Sequence, residues 1–584
     1  MKIDNTVMFR KSALAVALSL VALPTLAQPM LEEVIVTAEK RTENVQDIAA
    51  TVNVVSGRDI EKFQTFDFSA IQQQTAGLTL ASPNARNSII AMRGISVDPE
   101  SGTSTAVDTY WNDAIVRPDL AFTQLYDLER IEILRGPQGT LQGRTSPAGA
   151  INIITRRASV DEAEGFVQLS ASDHNGLNTQ VAYNAPLIEG SLGVRVAGVY
   201  DKNDGPDVQN ITTGFDNQEY KTQSGRLSTL WHVTDTFSAE LYYQYLDQNK
   251  DDPKAMSGVD QLGGRPTLDP SDGKALTRTN DTADLNFNVV NLIMDWEIMD
   301  HQITGIVAYN DSTKKAQTEG DRADSLRYYQ PPTQAPTDQN SRTDTKAYSY
   351  ELRLASPDND FWDYMVGAYY QDQNTDTKFD VNTVQLSPPV VAGVGFTTQA
   401  VLPVYANNFA LFTFNTFQLT QDVQLEAGLR WTQYDGFVRA DVYYGGANTP
   451  GSLPSLETVD ALFATRFPII GIQNPNTHED AVTGSLKLRY EWRDDVSLYA
   501  AYNRGYRPGG ISIVPSPNIQ FLPNGEDDLT YQEETSDAIE VGAKSTLWDD
   551  RANLNVALYY QKFDGYLGFV RGVQVLNDAG EPVD

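Results

Sequence analysis

"DVQLEAGLRWTQY" occupies residues 422–434, and its alternation decides how the rest of the chain is read. Val423, Leu425, Ala427, Leu429 and Trp431 fall on one face of an extended chain, and Gln424, Glu426, Gly428, Arg430 and Thr432 fall on the other. "ANLNVALYYQKFD" (552–564) repeats the pattern, with Ala552, Leu554, Val556, Leu558 and Tyr560 opposite Asn553, Asn555, Tyr559 and Gln561. "VSLYAAYNRGY" (496–506) does so again. A soluble sandwich also alternates, but its strands run to about 5–6 residues. These segments match the ~9–11 residues of a tilted strand crossing a bilayer, with aromatics near the ends.

The connections select the membrane reading. From "GFVQLSAS" (165–172) onward we count about fifteen strands, and the links between them alternate long and short. Short links include "NAPLIEGS", "HVTDTF", "IMDHQ", "SPDNDF", "QLTQDV", "EWRDDV" and "LWDDRA". Long loops cover 247–282, 313–342, 371–403, 435–477 and 508–533. Short turns at one end and long loops at the other are the pattern of an outer-membrane barrel, periplasm below and exterior above. The predicted class is therefore mainly β, an antiparallel transmembrane barrel over residues 159–584. Closed pairing satisfies every backbone group where no water can.

Composition narrows the function classes. The 584 residues exceed one ordinary core, and the net charge of −33 argues against a nucleic-acid surface. There is no cysteine, so disulfides, thiolate metal sites and cysteine nucleophiles are ruled out. Four histidines (His174, His232, His301, His478) lie far apart, and no nucleophile–base pair or metal constellation emerges. We expect no enzyme and no cofactor. Residues 1–27 read as a signal peptide, with Lys2, Arg10 and Lys11 before the apolar "SALAVALSLVALP" and a cut after Ala27.

Residues 45–158 have a different texture, that of a small mixed α/β domain. "TVNVV" (51–55) reads as a strand, and Ser56 with Asp59 as the cap of a helix. Asp67 opens a second helix that Gly77 closes, and short strands follow in "SIIAMRGI", "DTYWNDAIV", "RIEILRG" and "AINIIT". Between the last two, Gly136, Pro137, Gly139, Gly143, Pro147 and Gly149 imply tight turns, without the spacing of a phosphate loop. "DKNDGPD" (201–207) lacks the spacing of a calcium loop and is read as solvated. Upstream, "LEEVIVTAEK" (31–40) alternates like a strand, yet its polar neighbour "RTENVQDIAA" offers nothing to pair with it.

These segments carry a resemblance. "EEVIVTA" (32–38) resembles the TonB box of TonB-dependent outer-membrane receptors. "IIAMRGI" (89–95) and "LERIEILRGPQGTLQGRTSPAGAINIIT" (128–155) resemble that family's two plug motifs, carried by Gly94, Gly136, Pro137, Gly139, Gly143 and Gly149. "ETSDAIEVGAKSTLWDDRANLNVALYYQKFDGY" (534–566) is similar to its late barrel strands. Two departures are visible. Asp113-Ala114 stands where the family has an Asp-Gly turn, and Gly149-Ala150 replaces a double glycine.

The resemblance implies a plugged barrel of about 22 strands in the bacterial outer membrane, acting as a monomer. It implies a segment 28–44 whose Glu32, Glu33, Val34, Ile35, Val36, Thr37 and Ala38 add as an edge strand to TonB. It also implies contacts between plug arginines and barrel glutamates, for which Arg93 and Arg135 fit the plug side. Parity independently turns Glu351 and Glu540 toward the lumen, opposite Tyr348, Tyr350, Leu352, Ile539 and Val541. The implied activity is energised import of a small ligand, a ferric siderophore being the family's commonest. Cobalamin, a glycan or an aromatic compound are alternatives, as is a passive porin. Finally, "VLNDAGEPVD" ends the chain on a polar stretch after about fifteen strands, so we expect an incomplete chain and a gap between first and last strands.

Overall fold

The structure is a computed structural model. It describes residues 34–566 apart from 38, 83–84, 86–87, 97–103, 120–122, 174, 205–207, 212–213, 215–217, 253–272, 276–280, 320–336, 386–393, 447–469, 512–529 and 549–550. Residues 1–27, read above as a signal peptide, together with Glu32, Glu33, Ala38 and the tail from 567, lie outside the described residues.

The N-terminal domain is built on a five-stranded sheet in the order Val52–Ser56, Leu128–Arg135, Gly149–Thr155, Val107–Trp111, Ala114–Val116. All neighbours are antiparallel except Val107–Trp111 beside Gly149–Thr155. Both Leu128–Arg135 and Gly149–Thr155 are buried along most of their length; the second reads as a near-continuous apolar run, whereas the first carries Arg130 and Glu132, which pair with each other at 2.7 Å. The helix Gly57–Lys62 starts where the cap predicts, with the Ser56 hydroxyl accepting from the Asp59 amide at 3.1 Å. The second helix differs from expectation. Phe68–Gln73 is a 3₁₀ segment capped by Asp67, and it ends before Gly77, which at φ +76° turns the chain toward the strand Leu78–Ala81. In "YWNDAIV" the turn is Asn112-Asp113 rather than Asp113-Ala114. Both turn residues have positive φ, 45° and 68°, the backbone that a two-residue hairpin requires.

The C-terminal domain is a 15-stranded antiparallel sheet, from Glu164–Ala171 to Ala552–Asp564, each strand paired to its neighbours in sequence. Strands reach 27 residues at Val394–Thr420, longer than expected. The excess lies at the long-loop ends, where backbone pairing continues past the thickness that lipid requires. Among the described residues the first and last strands do not pair with each other. Leu429, Leu558, Val482 and Leu352 are exposed on the outer face, where lipid takes the place of water. Five of the seven tryptophans (Trp231, Trp296, Trp362, Trp492 and Trp548) sit exposed beside the short turns and mark one membrane interface.

The sheet of the N-terminal domain packs inside the wall. Its core of Ile131, Ile133, Ile151 and Ile153 is continuous with Leu246, Leu285, Phe287 and Val289 of the wall. Trp111 meets Phe287 edge-on, with ring centroids 6.3 Å apart. Gly149 holds φ +156°, and a Cβ there would overlap Met92 Sδ and the Leu134 carbonyl oxygen. Gly149→Ala should therefore weaken the plug sheet by about 2–4 kcal/mol. Hydrogen exchange of 128–135 and 149–155 reads this as faster exchange, with the wall strands unchanged.

Candidate functional site: the seam between plug and wall

Polar groups that face the lumen find their partners in the plug. Glu540, on the wall strand Glu534–Leu547, lies at the centre of one cluster. Its Oε1 accepts from the Thr51 amide at 3.0 Å, the Thr51 hydroxyl at 2.7 Å and the Tyr499 hydroxyl at 2.8 Å. Its Oε2 pairs with Arg93, whose guanidinium also lies over the Tyr559 ring at 3.9 Å. Arg93 itself has φ +53° and follows the strand Ile89–Met92. Gly136, at φ +84°, leaves room for this arginine, since a Cβ there would stand 3.0 Å from its Nη1.

Two expected partners go elsewhere. Arg135 donates to the Ala76 carbonyl instead of a wall carboxylate, and burial followed by repulsion from Arg93 lowers its basicity. The Glu540 carboxylate is occupied by Arg93. Glu351 faces inward as parity required, but Arg353, two residues along the same strand, takes it at 2.8 Å. That pair forms because residues i and i+2 of a strand share a face.

The glycine-rich stretch 136–149 is bonded by one wall cation and two wall hydroxyls that the sequence reading did not single out. Arg430 is fully buried and donates to the carbonyls of Gln142 at 3.1 Å and Gly143 at 2.6 Å. A Cβ at Gly143 would press on the Tyr369 ring, and one at Gly139 on the Arg504 carbonyl. Thr483 donates to the Gly139 carbonyl, and Ser536 to that of Pro147 at 2.8 Å. Small residues here let the wall reach the plug backbone directly. The signal was available, since Glu426 and Arg430 stand on the polar face of "DVQLEAGLRWTQY".

The box segment is also docked, contrary to the expectation of a lone strand. Ile35–Val36 pairs antiparallel with Glu43–Asn44, and Val36 is fully buried against Val45, Ile48, Tyr110 and Ala150. The chain doubles back because the short apolar face of Val34 and Val36 covers the otherwise open underside of the plug sheet. The Thr37 amide donates to Glu132 at 2.8 Å. Beyond it, Glu39 pairs with Lys487 of the wall, which also reaches Glu426 at 3.3 Å. Lys544 donates to the carbonyls of Val45 and Ile48, both at 2.6 Å. Half-buried Glu43 stands close to this group. Burial first, then Glu39 and Glu426, push its carboxyl up to about 8, against the pull of Lys487 and Arg41.

On the opposite side of the plug, a cavity of about 320 Å³ opens between the plug apex and the wall. Arg117 and Asp119 form its floor, and the wall contributes Thr343, Thr345, Thr375 and Thr377.

Comparison with known proteins places this architecture. The family model described as "TonB-dependent Receptor Plug Domain" matches residues 44–150, and "TonB dependent receptor-like, beta-barrel" matches 231–581. The chain belongs to the TonB-dependent receptor family. It is 24% identical to the pesticin receptor of Yersinia pestis over 574 residues, which cover 94% of this chain and 73% of that protein. The crystal structure of the ferric yersiniabactin uptake receptor FyuA from Yersinia pestis superposes with TM-score 0.67 at 19% identity, covering 88% of this chain and 72% of the other. The siderophore receptor PiuA from Acinetobacter baumannii gives TM-score 0.67 at 17% identity, covering 88% and 73%.

Two measurements follow from the seam. Arg93→Met leaves the Glu540 carboxylate buried without its cation, which should loosen plug seating by about 3–5 kcal/mol. Glu351→Gln, whose partner lies on its own strand, should leave amide exchange of 89–92 and 128–135 within about twofold. Equal effects of the two changes on that exchange would contradict the assignment. The second measurement concerns pH. Because the docked value of Glu43 lies above its free value of 4.5, docking is fully supported below that value and loses support as pH rises through about 8. The chain has no cysteine, so a spin label at Ile35→Cys reports the box alone. Its mobility should rise between about pH 6 and about pH 9, and Glu43→Gln should flatten the rise.

Proposed function

We propose that this chain is an energised importer of the bacterial outer membrane that takes up a ferric siderophore. In this reading residues 1–27 are removed on export, and 28–44 present the box to TonB in the periplasm. Residues 45–158 plug the lumen of the wall formed by 159–584. The observation that carries the reading is the way the box is held. Its strand has only two paired residues, and the chain leads from it straight into the contacts that seat the plug.

The order of those contacts gives the mechanism. Strand addition to TonB uses backbone hydrogen bonds and needs only strand-forming residues, which Val34, Ile35, Val36 and Thr37 supply. Tension applied there first frees the Thr37 amide from Glu132, then reaches Glu39 on Lys487, then the Val45 and Ile48 carbonyls on Lys544, then Thr51 on Glu540. Behind Thr51 lies Val52–Ser56, the edge strand of the plug sheet. Each of these contacts is a charge-assisted hydrogen bond that water can replace, so this part of the seam can open and re-form. The named ligands of similar receptors, among them ferric yersiniabactin, support a ferric siderophore as cargo.

Ile35→Pro removes a ladder donor and fixes φ. In cells, iron uptake through the protein should fall at least about tenfold, while binding of the ferric ligand at the cell surface stays within about twofold. Uptake that survives both this substitution and a proton uncoupler would favour passive diffusion instead.

A further inference from the structure

We propose that the cavity above the plug selects a ferric chelate of low net charge, rich in amide, hydroxamate or hydroxyl groups, over a polyanionic one; this rests on the ferric-siderophore reading. The argument begins with its charged groups. Among the described residues three cations face the cavity: Arg117, Lys314 and Arg144. Each is already answered by a carboxylate of the protein.

Asp119 takes Arg117 in a two-pronged pair at 3.0 and 3.1 Å, and Lys314 at 3.5 Å. Asp108 takes Arg144 at 2.5 Å. A third carboxylate, Glu479, lies on the inner wall beside Gly509 at the rim, where it accepts from the Gly509 amide at 3.2 Å and from the Tyr506 hydroxyl. Among the described residues, the three cations are thus met by the two carboxylates Asp119 and Asp108, with Glu479 a third negative group at the rim. A triply negative ligand entering this space would leave water without gaining an uncommitted guanidinium.

The remaining surface suits a neutral polar ligand with apolar portions. The third N–H of the Arg117 fork is spent on Thr345 Oγ1 at 3.0 Å. Thr345 pairs with Thr375 at 3.2 Å, and Thr343 with Thr377 at 3.2 Å, so two rungs of hydroxyls run up one wall. Each hydroxyl both donates and accepts, which matches amide, hydroxamate and alcohol groups. Leu402, Val404 and Val438 line the cavity too, with Tyr434. Of the cations, Lys314 has the loosest partner, and its other N–H groups are placed to take one ligand oxygen.

Fluorescence quenching of the full chain in outer-membrane vesicles tests this with two probes. One is a ferric trihydroxamate, neutral overall, and the other a ferric tricatecholate, triply negative. The neutral complex should bind at least about tenfold more tightly. Asp119→Asn, and separately Glu479→Gln, should each shift the preference toward the tricatecholate by about tenfold by removing one opposing charge. The second variant keeps the test valid if the first disturbs the plug apex. Tighter binding of the tricatecholate to the unaltered protein overturns the charge argument and leaves the siderophore reading standing. Binding of neither iron complex overturns both.

Discussion

A strand that crosses a membrane must turn every second side chain away from lipid, and in this protein those inward side chains bond to a folded domain. That constraint organises the molecule. Outward positions are spent on Leu, Val and aromatic groups, so the wall holds the plug through its inward residues, many of them polar. Arg430, Lys544, Thr483 and Ser536 use those positions to donate to plug carbonyls. The acceptors are backbone groups, so the turns that offer them must let the wall approach closely. Gly139 and Gly143 meet that need.

The seam therefore carries hydrogen bonds and ion pairs that a domain core would lack. An apolar interface of this extent would resist opening in proportion to its area. Here the apolar contact is divided among separate patches, where Trp111 meets Phe287, Leu141 joins Phe412 and Phe414, Tyr126 joins Ala182 and Val199, and Ala49 joins Tyr499 and Ala501; between them the contacts are hydrogen bonds and ion pairs. Such contacts have modest net strength because water competes for both partners. A plug seated in this way closes the lumen, yet a pull on its N-terminus has a defined sequence of small barriers to cross.

Much of this was legible in the amino-acid order, and the losses have identifiable causes. Alternation gave the wall, because a strict period of two survives any tertiary context in a membrane. It also turned Glu540 inward, and a plug arginine meets it there. Parity cannot choose between equivalent partners, however. It could not show that Arg353 would satisfy Glu351 or that Ala76 would satisfy Arg135. The docking of Val36 was missed because its partner, Glu43-Asn44, has no strand-like composition; the pairing is imposed by the underside of the sheet. Arg430 was placed on the correct face without its role being seen, since its acceptors are carbonyls, which a sequence does not display.

The central claim is that tension on the box opens the plug–wall seam in order while the wall stays intact. Force spectroscopy on the full chain in a supported bilayer, pulling from a handle at Val34, tests it directly. The account predicts an early series of small extensions that releases the segment through Thr51 and Val52–Ser56, before any wall strand leaves the membrane. Extraction of wall strands first, or a single event in which plug and wall unfold together, would contradict it.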